Sequence, residues 1–203
     1  MKKQGGSIVS KIYCSSYEQV FMVRSRPNVV YGGGFVVLDS NQTEVFRVEG
    51  CGTLGKRADL LLRDSHGDAL LLIRRKDGFV EALSLHKHWK GYSLIDQKLV
   101  FTLKEPPPKL LHHVPNIRIS TQTGISCASF FNCKYDFEIK GYFQDRDCAI
   151  IDSDANVIAQ VGIKKEVESK DVYEVVVKAD VDQAFVFGII AVLDYVFDGS
   201  TKC

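Results

Sequence analysis

The run Asp180-Val-Asp-Gln-Ala-Phe-Val-Phe-Gly-Ile-Ile-Ala-Val-Leu-Asp-Tyr-Val-Phe197 limits the fold most tightly, because it is an almost wholly apolar helix in a chain that otherwise reads as β-strands. Its core, Ala184, Phe185, Phe187, Gly188, Ile189, Ile190, Val192 and Leu193, leaves no polar face, so the one-sided stripe of a surface helix is missing. A helix of this length spans about 25 Å. Its unbroken apolar part falls short of the roughly 20 residues that a bilayer crossing needs. The rest of the protein must therefore enclose it. Asp180 is the expected N-cap, with Gln183 three residues on completing a capping box and Asp182 adding negative charge at the positive end of the dipole. The helix is expected over about residues 181–197.

Three segments share one plan: Phe35-Val-Val-Leu-Asp-Ser before Val45-Phe-Arg-Val, Leu60-Leu-Leu-Arg-Asp-Ser before Leu70-Leu-Leu-Ile, and Ala149-Ile-Ile-Asp-Ser before Val157-Ile-Ala-Gln-Val. In each, an apolar strand reaches Asp-Ser and a second begins a few residues later. These are hairpin signatures, with the Asp carboxylate free to accept from backbone N–H groups two residues on. Phe137-Glu-Ile-Lys-Gly-Tyr-Phe alternates, placing Phe137, Ile139 and Phe143 on one face and Glu138, Lys140 and Tyr142 on the other. Asp171 to Lys178 is a further strand just before the helix. Pro106-Pro-Pro108 cannot continue a central strand, so the halves are joined near residues 105–115. Matching halves and one terminal apolar helix make a closed, mainly antiparallel barrel with the helix through its middle the economical architecture. A lead-in over residues 1–18, a single domain over 19–198 and a tail over 199–203 follow.

The chain has 203 residues, 45% of them hydrophobic, and a formal charge of +1, which is the balance of an ordinary soluble protein and gives no bulk pull toward nucleic acid. Lys2 and Lys3 lead into Gln-Gly-Gly-Ser rather than an apolar segment, so no secretory signal is expected. The six cysteines then read as reduced thiols, since none has Cys-x-x-Cys spacing. Cys203 stands at the end rather than four residues from it, which excludes a prenylation box and leaves lipidation there open.

The chain resembles plant LURP-one-related proteins of the tubby C-terminal-like superfamily. The resemblance rests on Gly34-Phe-Val-Val-Leu-Asp, Lys56-Arg57 followed by Leu-Leu-Arg-Asp-Ser-His-Gly67, Leu83-Ser-Leu-His86-x-x-Trp89, Asp136-Phe-Glu-Ile-Lys-Gly141, Arg146-Asp-Cys148, Asp171-Val-Tyr, and Val181-Asp-x-Ala-Phe185 running to Val192-Leu-Asp194. It implies twelve strands closed around the central helix, no established enzymatic reaction and an association with plant defence. His66-Gly-Asp, Arg74-Arg75-Lys76 and Lys87-His88 depart from the commoner family pattern.

Arg74, Arg75 and Lys76 end a strand, and Lys87-His88-Trp89-Lys90 lies one hairpin later, so the two basic groups can meet on one surface. With Trp89 and Tyr92 nearby they are candidates for phosphoinositide headgroups, as tubby domains bind, with Lys164 and Lys165 a further element. The alternative is a solvated strand surface kept from aggregating by its charges. His86 and Trp89, as family residues, also read as packing residues with a bonded polar tip.

Asp152-Ser-Asp154-Ala-Asn156 opens like a calcium loop, but Val157 stands where the sixth-position Gly belongs and Ile163 where the twelfth-position Glu belongs. His86, His88, His112 and His113 have no partner at ligand spacing. No Gly-x-Ser-x-Gly motif or phosphate-cradling glycine loop occurs. The expectation is a cytoplasmic, monomeric, non-enzymatic protein without cofactor or metal, open to peripheral membrane attachment through anionic lipid headgroups or to a protein partner. Two other readings stand beside it: a scramblase-like membrane-active protein, and a tubby-like transcription regulator that leaves the membrane and binds DNA. Asp182 and Asp194 weigh against the first, since each costs about 2.5 to 3.5 kcal/mol near a bilayer centre.

Overall fold

An aspartate organises each of three hairpin turns in the same way. Asp39 Oδ1 accepts from the N–H groups of Asn41 and Thr43, Asp64 Oδ1 from His66 and Asp68, and Asp152 Oδ1 from Asp154 and Asn156, all at 2.8 to 2.9 Å. One residue in each turn, Gln42, Gly67 and Ala155, takes a positive φ of 62°, 89° and 65°. Each hairpin also carries a register shift just before its turn, at Val37/Leu38, Leu62/Arg63 and Ile150/Ile151. The repeated plan in the sequence is thus a repeated turn geometry.

The structure is a computed structural model and describes residues 7–26, 33–50, 59–75, 87–105, 117–121, 135–163, 171–197 and 199–201. The strands are β1 (Gln19–Arg26), β2 (Gly34–Leu38), β3 (Glu44–Glu49), β4 (Asp59–Asp64), β5 (Ala69–Arg75), β6 (His88–Ser93), β7 (Leu99–Lys104), β8 (Ile117–Thr121), β9 (Phe137–Tyr142), β10 (Asp147–Asp152), β11 (Val157–Ile163) and β12 (Val172–Val177). Every strand pairs antiparallel with its sequence neighbours, and β1 pairs with β12 from Gln19↔Val177 to Arg24↔Val172, so the sheet closes into a twelve-stranded barrel. Closure leaves no sheet edge to protect. The proline connector lies outside the described residues, as do His86, His112 and His113.

The helix α1 (Gln183–Val196) runs through the barrel, and every residue from Gln183 to Tyr195 is buried. Phe187 packs against Phe21 and Phe46, with ring centroids 5.3 and 5.4 Å away, and Phe185 against Phe101 and Phe137 at 5.9 and 5.0 Å. Burying each such ring contributes roughly 1.5 to 3 kcal/mol. At Gly188 a Cβ would stand 2.8 Å from Leu71 Cδ1, so the missing side chain lets the helix approach β5. A helix that is apolar all round has found an apolar wall on every side.

The helix start differs from the sequence expectation. Asp180 sits at φ 62°, outside the helix, and the N-cap is Asp182, whose Oδ1 accepts from Phe185 N–H at 3.2 Å. The reason is the lead-in: the N–H groups of Ile8, Val9 and Ser10 converge on Asp182 Oδ2 at 3.0, 2.6 and 3.0 Å. One carboxylate thereby caps the helix and pins the chain before β1 across the barrel end.

Strands alternate in direction, so the turns after β2, β4, β6 and β10 share the end where α1 starts. The strand ends Arg26, Glu49, Arg75 and Lys104 share the other end, where α1 finishes.

Candidate functional site

Side chains alternate across a strand, so Arg74 and Arg75 cannot share a face. Trp89, paired with Arg75 in the register, is fully buried, and Arg75 lies with its guanidinium carbon 5.8 Å from the Tyr195 ring centroid at the helix exit. Arg74 points outward, opposite Lys90 on β6. The basic run therefore splits: Arg74 and Lys90 come together on the outer wall, and Arg75 goes to the barrel mouth. Lys76, Lys164 and Lys165 lie outside the described residues.

Trp89 takes the packing role rather than an interfacial one. Its ring meets Tyr195 edge-on at 4.8 Å, and its Nε1–H donates to Glu105 Oε2 at 3.2 Å. Tyr92 stays on the outer face of β6, half-buried.

On the wall, the cross-strand row Asp59, Arg74, Lys90, Thr102 runs over β4 to β7. Asp59 accepts from Arg74 Nε at 3.0 Å, and Lys90 has no ion-pair partner among the described residues. Two cations directly opposite on adjacent strands repel, and one carboxylate beyond Arg74 offsets only part of that. His88 and Lys104 pair in the register one step nearer the open end, extending the basic face. Arg74, Lys90 and Lys104 against the carboxylate of Asp59 leave this face positively charged.

A second group escaped sequence reasoning because its members, Arg146, Tyr173 and Asp194, lie far apart in the chain and nothing in their spacing joins them. Arg146, at φ 54° in the turn between β9 and β10, places its guanidinium carbon 4.5 Å from the Phe143 ring centroid and 4.0 Å from that of Tyr173. Its Nη2 is 4.0 Å from Asp194 Oδ1, and Asp194 is fully buried. Asp194 Oδ2 accepts from Thr201 N–H at 2.8 Å and from Ser200 Oγ at 3.3 Å. Gly199 is obligatory beside it, since a Cβ would collide with the Asp194 carboxylate. Burial pushes the Asp194 carboxyl above its ordinary range, while the Thr201 N–H and the Arg146 charge pull the other way. Burial likewise pushes the neighbouring Cys148 thiol up to about 12, which leaves it a poor nucleophile at neutral pH. Among the described residues no group of His, Cys, Asp or Glu is arranged to hold a metal.

The helix fills the barrel. A cleft between Ile139, Tyr142, Phe143 and Phe197 at the open end has an internal volume of about 10 Å³, room for about one water. Ligand-sized pockets are many times larger.

These features define a class: a closed antiparallel barrel plugged by its own apolar helix. Residues 19–194 match the model of the LURP-one-related family, and the chain belongs to that family. It is 53% identical to Protein LURP-one-related 6 of Arabidopsis thaliana over 200 residues, covering 97% of this chain and 99% of that one. It is 45% identical to Protein LURP-one-related 16 of the same plant, covering 97% and 95%. A solved X-ray structure of an Arabidopsis thaliana protein shares the fold, with a TM-score of 0.65 at 22% identity over 94% of this chain and 98% of that one.

Proposed function

We propose that the chain is a non-enzymatic binding protein whose barrel serves as a rigid scaffold and whose basic outer wall at β5 and β6 takes anionic membrane headgroups, phosphoinositides among them. Its setting is the cytoplasmic face of a membrane, and its association with plant defence is carried over from the family resemblance. The carrying observation is the pair of Arg74 and Lys90 on adjacent strands, whose repulsion the Asp59–Arg74 ion pair offsets only in part. Arginine offers paired donors and lysine a point charge, the combination that suits clustered phosphates. A scramblase-like role for the helix is less well supported: α1 has 14 residues, and Asp182 and Asp194 near its ends are bound to the lead-in and to residues 199–201. No helix among the described residues is long and apolar enough to cross a membrane.

The test is liposome flotation of the wild type and of Lys90→Glu, which keeps the Asp59–Arg74 pair, with phosphoinositide and phosphatidylserine vesicles of equal charge density at two salt concentrations. Phosphoinositide binding that weakens with salt and is lost in the variant, with an unchanged thermal midpoint, is expected. Equal binding to both lipids reduces the site to a diffuse basic patch. No wild-type binding at low salt overturns the reading and leaves a protein partner as the better account.

A further inference from the structure

Four arginines share the outer wall of β1 to β4, away from Arg74 and Lys90. In the strand registers Arg24 lies opposite Val36, Val36 opposite Arg47, and Arg47 opposite Arg63, so one row carries three of them. Arg26 stands two residues beyond Arg24, hence on the same face. Val36 points outward yet is only 5% exposed, as expected where arginine stems lie over an apolar residue.

Gly34 makes this grouping feasible. It pairs with Arg26 at a φ of 155°, where an added Cβ would collide with the Val48 carbonyl and stand 3.0 Å from Arg26 Nη2. The missing side chain opens a lane across β2, through which Arg26 Nη2 donates to the Val48 carbonyl at 3.1 Å. Arg26 is thereby carried toward Arg47.

Two carboxylates answer the four positive charges. Glu44 takes Arg47 Nε and Nη2 at 2.8 and 3.0 Å, and Glu49 lies 3.2 Å from Arg63 Nε. Arg24 is exposed and has no ion-pair partner among the described residues, and Arg26 Nε is enclosed without an acceptor. Burial, and after it the Arg47 charge, hold Arg26 below the ordinary guanidinium range. An arginine that served only to tie β1 to β3 across β2 gains nothing from a second cation beside it. An oxyanion between them turns that repulsion into charge-assisted hydrogen bonds. Four arginines less two glutamates leave a net charge of +2 on this face, which matches a dianion better than a single carboxylate.

We propose that Arg24, Arg26 and Arg47 form a separate oxyanion site on the β1–β3 wall, taking a phosphomonoester group, with Arg63 and Glu49 fixing its edge. The group can arrive free in solution or on a lipid headgroup. This site does not depend on the β5–β6 surface.

The experiment follows the arginine Nε–H signals by NMR while inorganic phosphate is added to the full chain, against sodium chloride at equal ionic strength. Saturable shifts of Arg24, Arg26 and Arg47 with phosphate alone are expected. In Arg24→Gln, an exposed change that leaves the wall intact, the Arg47 shift should need about tenfold more phosphate, the cost of one charge-assisted bond. Lys90→Gln should titrate like wild type. Vesicles containing phosphatidylinositol 4-phosphate then identify the source: weaker flotation of Arg24→Gln assigns the site to a headgroup, and unchanged flotation assigns it to a soluble phosphate ester. Chloride producing the same shifts as phosphate, or a titration unaltered by Arg24→Gln, overturns the proposal.

Discussion

Asp182 and Asp194 hold the two ends of the barrel by the same chemical means, a carboxylate near one end of a buried helix gathering the backbone N–H groups of a chain terminus. Asp182 collects Ile8, Val9 and Ser10, and Asp194 collects Thr201. Burial raises both carboxyls above the ordinary range. The sign of the pH effect follows. Below the ordinary carboxylate range both folded and unfolded chains are protonated, and these groups favour folding most. As pH rises toward the raised folded value the unfolded chain ionises first, so the contribution declines and then levels off. Asp194→Asn removes one of the two slopes. Denaturation midpoints measured from about pH 3 to pH 8 should show wild type losing stability relative to Asp194→Asn as pH rises. A difference independent of pH would mean that Asp194 titrates alike in both states.

At the scale of the element, the hairpins show what local sequence can convey. The Asp-Ser plan was legible because the carboxylate, its N–H donors and the turn lie within five residues, as at Asp152 to Asn156. Two of the turns carry a cost that sequence did not reveal: Gln42 and Ala155 sit at φ 62° and 65°, in the left-handed region that disfavours a Cβ. Ala155→Gly should stabilise the protein by about 1 kcal/mol, since relief of that strain outweighs the added freedom of the unfolded chain. Urea denaturation checks this, and a destabilised variant would show that the turn is unstrained. The splitting of Arg74 from Arg75 was also within reach of the sequence, because adjacent strand residues face opposite ways. The N-cap was not: Asp180 has the better local pattern, and only donors more than 170 positions away make Asp182 the cap.

For the whole molecule, the enclosed helix was legible because a helix without a polar face has no stable place except inside. The closure that encloses it was not readable from periodicity alone: β1 and β12 pair residues such as Gln19 and Val177 across nearly the full domain. The site was less legible than the fold. Arg24, Arg26 and Arg47 are scattered among apolar strands and meet only through register, and Arg146 and Asp194 only through the end of a helix and a tight turn.

If the helix is the filling that keeps the barrel in shape, it cannot leave while the barrel survives. Native-state hydrogen exchange under increasing denaturant measures this directly. The amides of Ile189 to Leu193 should exchange only through global unfolding, with the same free energy and denaturant dependence as the most protected amides of β5 and β11. Exchange of those helix amides at a lower free energy, with the strands still protected, would show a helix that detaches from an intact barrel and would contradict the enclosed-helix account.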